Sequence, residues 1–177
     1  LKYHECVAQK KIFSMLVLTC RCTQADNLYE EFCEKTCIPI VNYLDTKDGR
    51  RVNVSKACCV VVSMESMWKV DKREWTIVIC DESESCIRQL SSPTMYTNRG
   101  GDGDGSGAAM AKSCRSRVRF AVQHAKMVLI ADGYMGMRSL DIFCRLRDPD
   151  QNFVIPKRAV VLRNTKSRKQ RSVRLYE

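Results

Sequence analysis

The chain alternates short apolar runs with stretches whose apolar residues recur at helical spacing. Ser14–Cys20 (SMLVLTC) and Ala57–Ser63 (ACCVVVS) are apolar at successive positions and predict strands buried on both faces. Ile38–Leu44, Trp75–Cys80 and Met127–Ala131 predict three more. Thr23-Gln-Ala-Asp26 reads as a capping box, with Thr23 accepting from the backbone and Asp26 reaching back, so a helix should follow to about Glu34. Further helices are expected near 84–90, through Val118, Ala121, Val122 and Ala125, and over Met137–Arg147 with Met137, Leu140 and Cys144 on the apolar face. Asp48-Gly49 marks a turn, Asp148-Pro149-Asp150 a helix break, and Ala159–Leu162 a last strand candidate. Arg99–Gly107 (RGGDGDGSG) holds no apolar residue and predicts an exposed, flexible loop. Strands apolar on both faces with helices between them indicate an α/β fold: a mostly parallel sheet with helices on both faces. Functional groups in such sheets collect at the carboxyl ends of the strands. Thr19 and Arg21, Glu65, Asp81 and Glu82, and Asp132 all fall there.

Composition refines this outline. The 177 residues, 45% of them hydrophobic, suffice for one cored domain with a small appendage. The apolar runs fall far short of the roughly 20 residues of a membrane helix, and no secretory signal precedes them. The first residue is Leu1, which leads us to expect a piece of a longer protein. The 11 cysteines are odd in number, lack Cys-x-x-Cys pairs, and several sit inside apolar runs (Cys20, Cys58, Cys59, Cys80). They read as reduced thiols of a nuclear or cytoplasmic protein, not a secreted one. The net charge of +10 is uneven, because eight basic residues and no acid lie between Lys157 and Arg174, leaving +2 for the rest. This basic segment, 157–177, is either a solvated linker or a phosphate contact.

The most specific chemistry is Ile77-Val-Ile-Cys-Asp-Glu82, a Walker B pattern in which an apolar strand delivers adjacent carboxylates to a sheet edge. Asp81 would hold Mg²⁺, and Glu82 would polarise the attacking water as general base. The same pair at a helix start also makes good capping chemistry. A nucleoside triphosphatase further needs a phosphate cradle, G-x4-G-K-[ST], and these residues contain none. Ser106–Ser113 (SGAAMAKS) keeps Lys112-Ser113 but has Ser106 and Ala111 in place of the glycines, and it follows the Walker B strand where a cradle precedes it.

Leu16-Val-Leu-Thr-Cys-Arg-Cys-Thr23, with Ala25 and Leu28, resembles motif Ia of superfamily 2 helicases. Val62-Ser-Met-Glu-Ser-Met-Trp-Lys-Val70 resembles the motif that follows it. Trp75–Met95 (WTIVICDESESCIRQLSSPTM) resembles the motif II region of the herpesvirus-type replication origin-binding protein family. Val128-Leu-Ile-Ala-Asp-Gly133 and Ser139-Leu-Asp141 resemble its motif III. The four stretches stand in matching order from about Met15 to Arg147.

The resemblance implies an incomplete RecA-like first helicase domain over 1–156, without Walker A and with 99–107 as an insertion. The basic segment 157–177 would lead toward a second motor domain. It also implies ATP and Mg²⁺ as cofactors held by Asp81, Glu82 and Asp132, with Asp132 linking the ATP site to the strand-binding face. Single-stranded or origin DNA would run past Thr19, Arg21, Thr23, Glu65 and Ser66. Arg21 alternatively is a surface charge at a helix start, Asp132 a helix cap for the turn that follows it, and Trp68 a core residue or a base-stacking platform. At the level of function, an ATP-dependent origin-binding helicase stands against an ATPase-dead nucleic-acid- or protein-binding domain, and against another P-loop enzyme of parallel-sheet type.

Overall fold

The apolar runs assemble into one sheet. The computed structural model describes residues 13–46, 51–52, 58–93, 106–133, 136–147, 161–164 and 173–176. Strands β1 (Met15–Thr19), β2 (Ile40–Asn42), β3 (Cys59–Ser63), β4 (Ile77–Asp81) and β5 (Met127–Ala131) lie in the order β2-β3-β1-β4-β5. Every neighbouring pair is parallel. Thr19 pairs with Ser63, and Asp81 with Ala131, so the carboxyl ends meet along one edge. The central strands β1 and β3 are buried at all five positions. Leu16 and Leu18 are wholly inaccessible, each burial stabilising by roughly 1.5–3 kcal/mol.

Helices cover both faces. Adjacent strand residues point to opposite sides, and Asp81 meets Gln24 of helix α1 (Cys22–Lys35) while Cys80 meets Cys86 of helix α2 (Ser83–Ser91). So α1 lies on one face, against β1, β2 and β3, and α2 on the other. Helices α3 (Ser106–His124) and α4 (Met137–Arg147) pack with α2, and α3 rests on the short 3-10 helix Met64–Lys69 that follows β3. The α3 stripe Ala111, Cys114, Val118, Ala121 and Val122, continued by Ala125 just beyond the helix, is buried at helical spacing. At the sheet's end, Leu129 of β5 is level with Ile79 of β4 on the α1 side and is 45% exposed.

Several boundaries differ from expectation. Helix α1 begins at Cys22 with Arg21 as N-cap, so Thr23 lies inside the first turn and forms no capping box. Asp26 instead accepts from Asn42 Nδ2 at 2.6 Å. Strand β2 is shorter than 38–44, because the Asn42 side chain accepts from Leu44 N and turns Tyr43–Asp45 into a 3-10 helix. The polar loop expected to run to Gly107 gives way to α3 at Ser106, and Gly107 is buried. Positions 99–105 lie outside the described residues, as do Asp48-Gly49, Asp148-Pro149-Asp150 and the boundary at 156–157. Helix α4 has the expected span but buries Ser139 and Phe143, while Met137 is 63% exposed. Its first turn faces Glu84, whose carboxylate bonds Ser139 Oγ and lies 3.9 Å from Arg138, so a small polar residue takes the inner position. Of the last strand expected at 159–162, the first two positions lie outside the described residues; the described strand, Val161–Asn164 (β6), continues two residues past Leu162 and pairs antiparallel with Val173–Tyr176 (β7), which sets Arg163 opposite Arg174.

Candidate functional site at the carboxyl edge of the sheet

Strand β4 delivers Asp81 and Glu82 to the edge, and the chain turns sharply there. Glu82 has φ 50° and ψ 59°, the only non-glycine positive φ among the described residues. This left-handed conformation costs a non-glycine residue about 1–2 kcal/mol. It opens α2, with Cys86 N donating to Glu82 O at 2.9 Å. Neither carboxylate of the pair caps that helix. The cap comes from the end of β5: Asp132 Oδ2 accepts from Glu84 N at 2.8 Å and from Ser83 Oγ at 3.3 Å. The capping explanation of the Asp81-Glu82 pair therefore fails, and Asp132 carries that role across two strands. Glu82 is exposed, its Oε2 3.5 Å from Ser85 Oγ. Half-buried Asp81 accepts from Gln24 Nε2 through Oδ2 at 2.7 Å. One carboxylate is thus oriented by a neutral donor and the other stands in solvent, an arrangement able to hold a divalent cation and to accept a proton.

The cap makes a stability prediction. Asp132→Ala removes an acceptor from the α2 N-terminus and should lower unfolding free energy by about 0.5–2 kcal/mol, read from urea denaturation. Asp132→Asn keeps a capping oxygen and should lose less. Equal, negligible losses for both would show that the contact does not stabilise the helix.

The residues placed on a nucleic-acid track divide by depth. Arg21 and Thr23 are exposed on the first turn of α1. Thr19 is inaccessible, and its Oγ1 donates to Arg21 O at 3.1 Å. It shapes the loop and cannot touch a strand. Ser66 is also buried, bonded to the Tyr43 phenol, and drops out of the track for the same reason. Burial pushes that phenol up to about 12, so it stays a neutral donor, to Cys22 Sγ at 3.0 Å. Half-buried Glu65 accepts from Cys22 Sγ at 3.5 Å and Gln89 Nε2 at 3.4 Å, tying α1 to α2. Trp68 is partly buried against the core, under the Lys69 ammonium.

Two features escape the sequence reading. The first is Gln24, whose Oε1 accepts from Cys20 N and Cys20 Sγ, both at 3.2 Å, while its Nε2 reaches Asp81. A glutamine three residues after an N-cap is half a capping box, but the arginine at the cap position hides the signal. The second is the thiol group behind Asp81. The bond to Cys80, then burial, pushes the Cys86 thiol far up, and burial raises Cys20. These sulfurs stay protonated and act as small hydrophobes.

A family model described as "Origin of replication binding protein" matches residues 1–153. No curated protein sequence matches the chain. Among solved structures, the Sulfolobus solfataricus SWI2/SNF2 ATPase core in complex with dsDNA is similar at a TM-score of 0.52 and 11% identity. The likeness covers 84% of this chain and 28% of that one. At this identity the likeness is one of fold, and that fold is RecA-like. Among the described residues no helix is long and apolar enough to cross a membrane.

Proposed function

This chain belongs to the family of origin of replication binding proteins, and from that premise we propose that it forms part of the first motor domain of an ATP-dependent DNA helicase. The motor couples ATP hydrolysis to translocation on single-stranded or origin DNA, in a reducing nuclear or cytoplasmic compartment. The observation that carries the reading is the Asp81-Glu82 pair at the end of β4, which α2 does not use as its cap. Asp81 would hold Mg²⁺, which when bound offsets phosphate charge. Glu82 would take the proton of the attacking water, its exposed carboxylate set one residue beyond the strand by the left-handed turn. Arg21 and Thr23, with the amides of the first turn of α1, would contact phosphates of one strand. Asp132, by holding α2 to β5, would keep the two carboxylates in register with the rest of the edge.

Two parts of a working site are supplied by neither the described geometry nor the 177 residues: a phosphate cradle and an arginine from a second motor domain. The arginine is worth on the order of 10³–10⁵ in rate in phosphoryl-transfer enzymes. The 177-residue chain alone should therefore show no useful ATP turnover. A longer protein joining it to a G-K-[ST] loop and a second motor domain should hydrolyse ATP with stimulation by single-stranded DNA. The assay is phosphate release with and without an oligonucleotide. A longer protein that binds DNA but never hydrolyses ATP would replace the motor reading with that of an ATPase-dead binding domain.

A further inference from the structure

We propose that Gln24 is a positioning residue that couples the nucleic-acid track to Asp81. The inference rests on the reading of Asp81 as the Mg²⁺-holding carboxylate and adds a route by which that site responds to DNA.

The bridge is short and unambiguous. Gln24 sits in the first turn of α1, three residues after Arg21. Its carboxamide spans two groups of opposite hydrogen-bonding character. The backbone N–H of Cys20 can only donate, so it fixes the oxygen on that side at 3.2 Å. The Asp81 carboxylate can only accept, so it fixes the nitrogen on the other side at 2.7 Å. The reversed amide would face donor to donor and acceptor to acceptor, so one orientation survives. Because the carboxamide is planar, a shift of the Cys20 backbone moves the donor on Asp81 with it.

Cys20 and Arg21 are the whole connection between β1 and α1. The loop is held from inside by Thr19 Oγ1 on Arg21 O at 3.1 Å and by Ala25 N on the same carbonyl at 3.1 Å. Exposed Arg21 is thus one peptide away from the N–H that Gln24 reads. A phosphate drawn to the Arg21 guanidinium and the first-turn amides acts on the Cys20–Arg21 peptide, and Gln24 passes the displacement to Asp81 Oδ2. A neutral amide suits this role. It orients the carboxylate without neutralising it, whereas a lysine or arginine at 24 would compete with the cation for the same charge, and a glutamate would repel Asp81.

Coupling free energies are reciprocal, so the bridge is readable as binding as well as catalysis. The protein to use is a longer one that joins this chain to a G-K-[ST] phosphate loop and a second motor domain. An oligo-dT strand is titrated with and without a non-hydrolysable ATP analogue plus Mg²⁺, in the wild type and in Gln24→Met and Gln24→Ala. Methionine keeps the length and most of the volume but cannot donate to Asp81, which guards against a packing defect.

In the wild type, the Mg²⁺–nucleotide should change oligo-dT affinity by about tenfold, within the roughly 5–150-fold range of ordinary coupling. In Gln24→Met the ratio should fall to near one, while nucleotide-free DNA affinity stays within about twofold because Gln24 touches no phosphate. An undiminished ratio in Gln24→Met, with Gln24→Ala agreeing, would overturn the coupling and leave the Walker B reading intact. A variant that loses melting temperature and both affinities together, with its ratio preserved, would mark Gln24 as a structural brace and overturn it as well. A wild type that binds no Mg²⁺–nucleotide would remove the site reading and the inference with it.

Discussion

Glu82→Gln in the longer protein should abolish ATP turnover while ATP binding persists. Glutamine matches glutamate in shape and does not change the demand for a positive φ at 82, so the turn into α2 is equally strained in both proteins. The side chain is exposed and caps nothing, and a surface change of this kind alters stability by less than about 0.5 kcal/mol. What disappears is a group able to take a proton. General-base catalysis is worth roughly 10²–10⁴ in rate, and the loss should fall within or above that range. Phosphate release measures the rate, and fluorescent-nucleotide binding checks that the site remains loaded. A silent substitution would mean that the strand-end pair is not a Walker B element.

Neutralising the eight basic residues of 157–174 should produce the other large effect. The rest of the chain carries a formal charge of only +2, so most long-range attraction to phosphate belongs to this segment. On single strands, each neutralised phosphate contributes about −0.7 to the logarithmic salt slope, so eight contacts amount to about 10³-fold between 50 and 200 mM salt. Replacing the eight by Gln and Ser should flatten the slope and remove most low-salt affinity. Substitution is preferable to deletion, because Val161–Asn164 and Val173–Tyr176 pair as strands within that stretch. Fluorescence anisotropy against salt makes the comparison. If the neutralised chain kept the wild-type slope, the segment would be a linker and the contacts would have to be sought on α1.

The same charge pattern illustrates what a sequence can carry. Charge and apolar runs survive as one-dimensional signals. Met127–Ala131 and Met137–Arg147 were both legible to the residue, because a charged residue or a glycine bounds each on the side where it starts. A single parallel sheet with Asp81, Glu82 and Asp132 on one edge follows from strands apolar on both faces, whereas strand order and register do not, because a pattern apolar on both faces fits more than one pairing. Nor does depth. Thr19 and Ser66 stand in the right motifs at the right edge and are nevertheless sealed by their neighbours. Partner choice is likewise a tertiary property: nothing near Asp132 in sequence says that it caps a helix 48 residues earlier. The capping box at Thr23–Asp26 is a local pattern overruled by packing, since Asp26 meets Asn42 from β2 and the helix starts earlier. The start of α3 within a polar, glycine-containing stretch has the same origin, its helical state fixed by what Ala111 and Cys114 pack against.

The left-handed turn at Glu82 bears on how this chain can change over generations. A glycine there would relieve the turn of its steric cost, and an asparagine would relieve part of it. Glutamate is among the residues that stability alone would not choose at this position, since its side chain returns no packing and no cap. In a lineage that still hydrolyses ATP, the carboxylate and the backbone pull against each other, and every such copy carries the strain. In a duplicate released from that demand, drift and stability point the same way, toward losing Glu82 while Asp132, which holds a helix, stays.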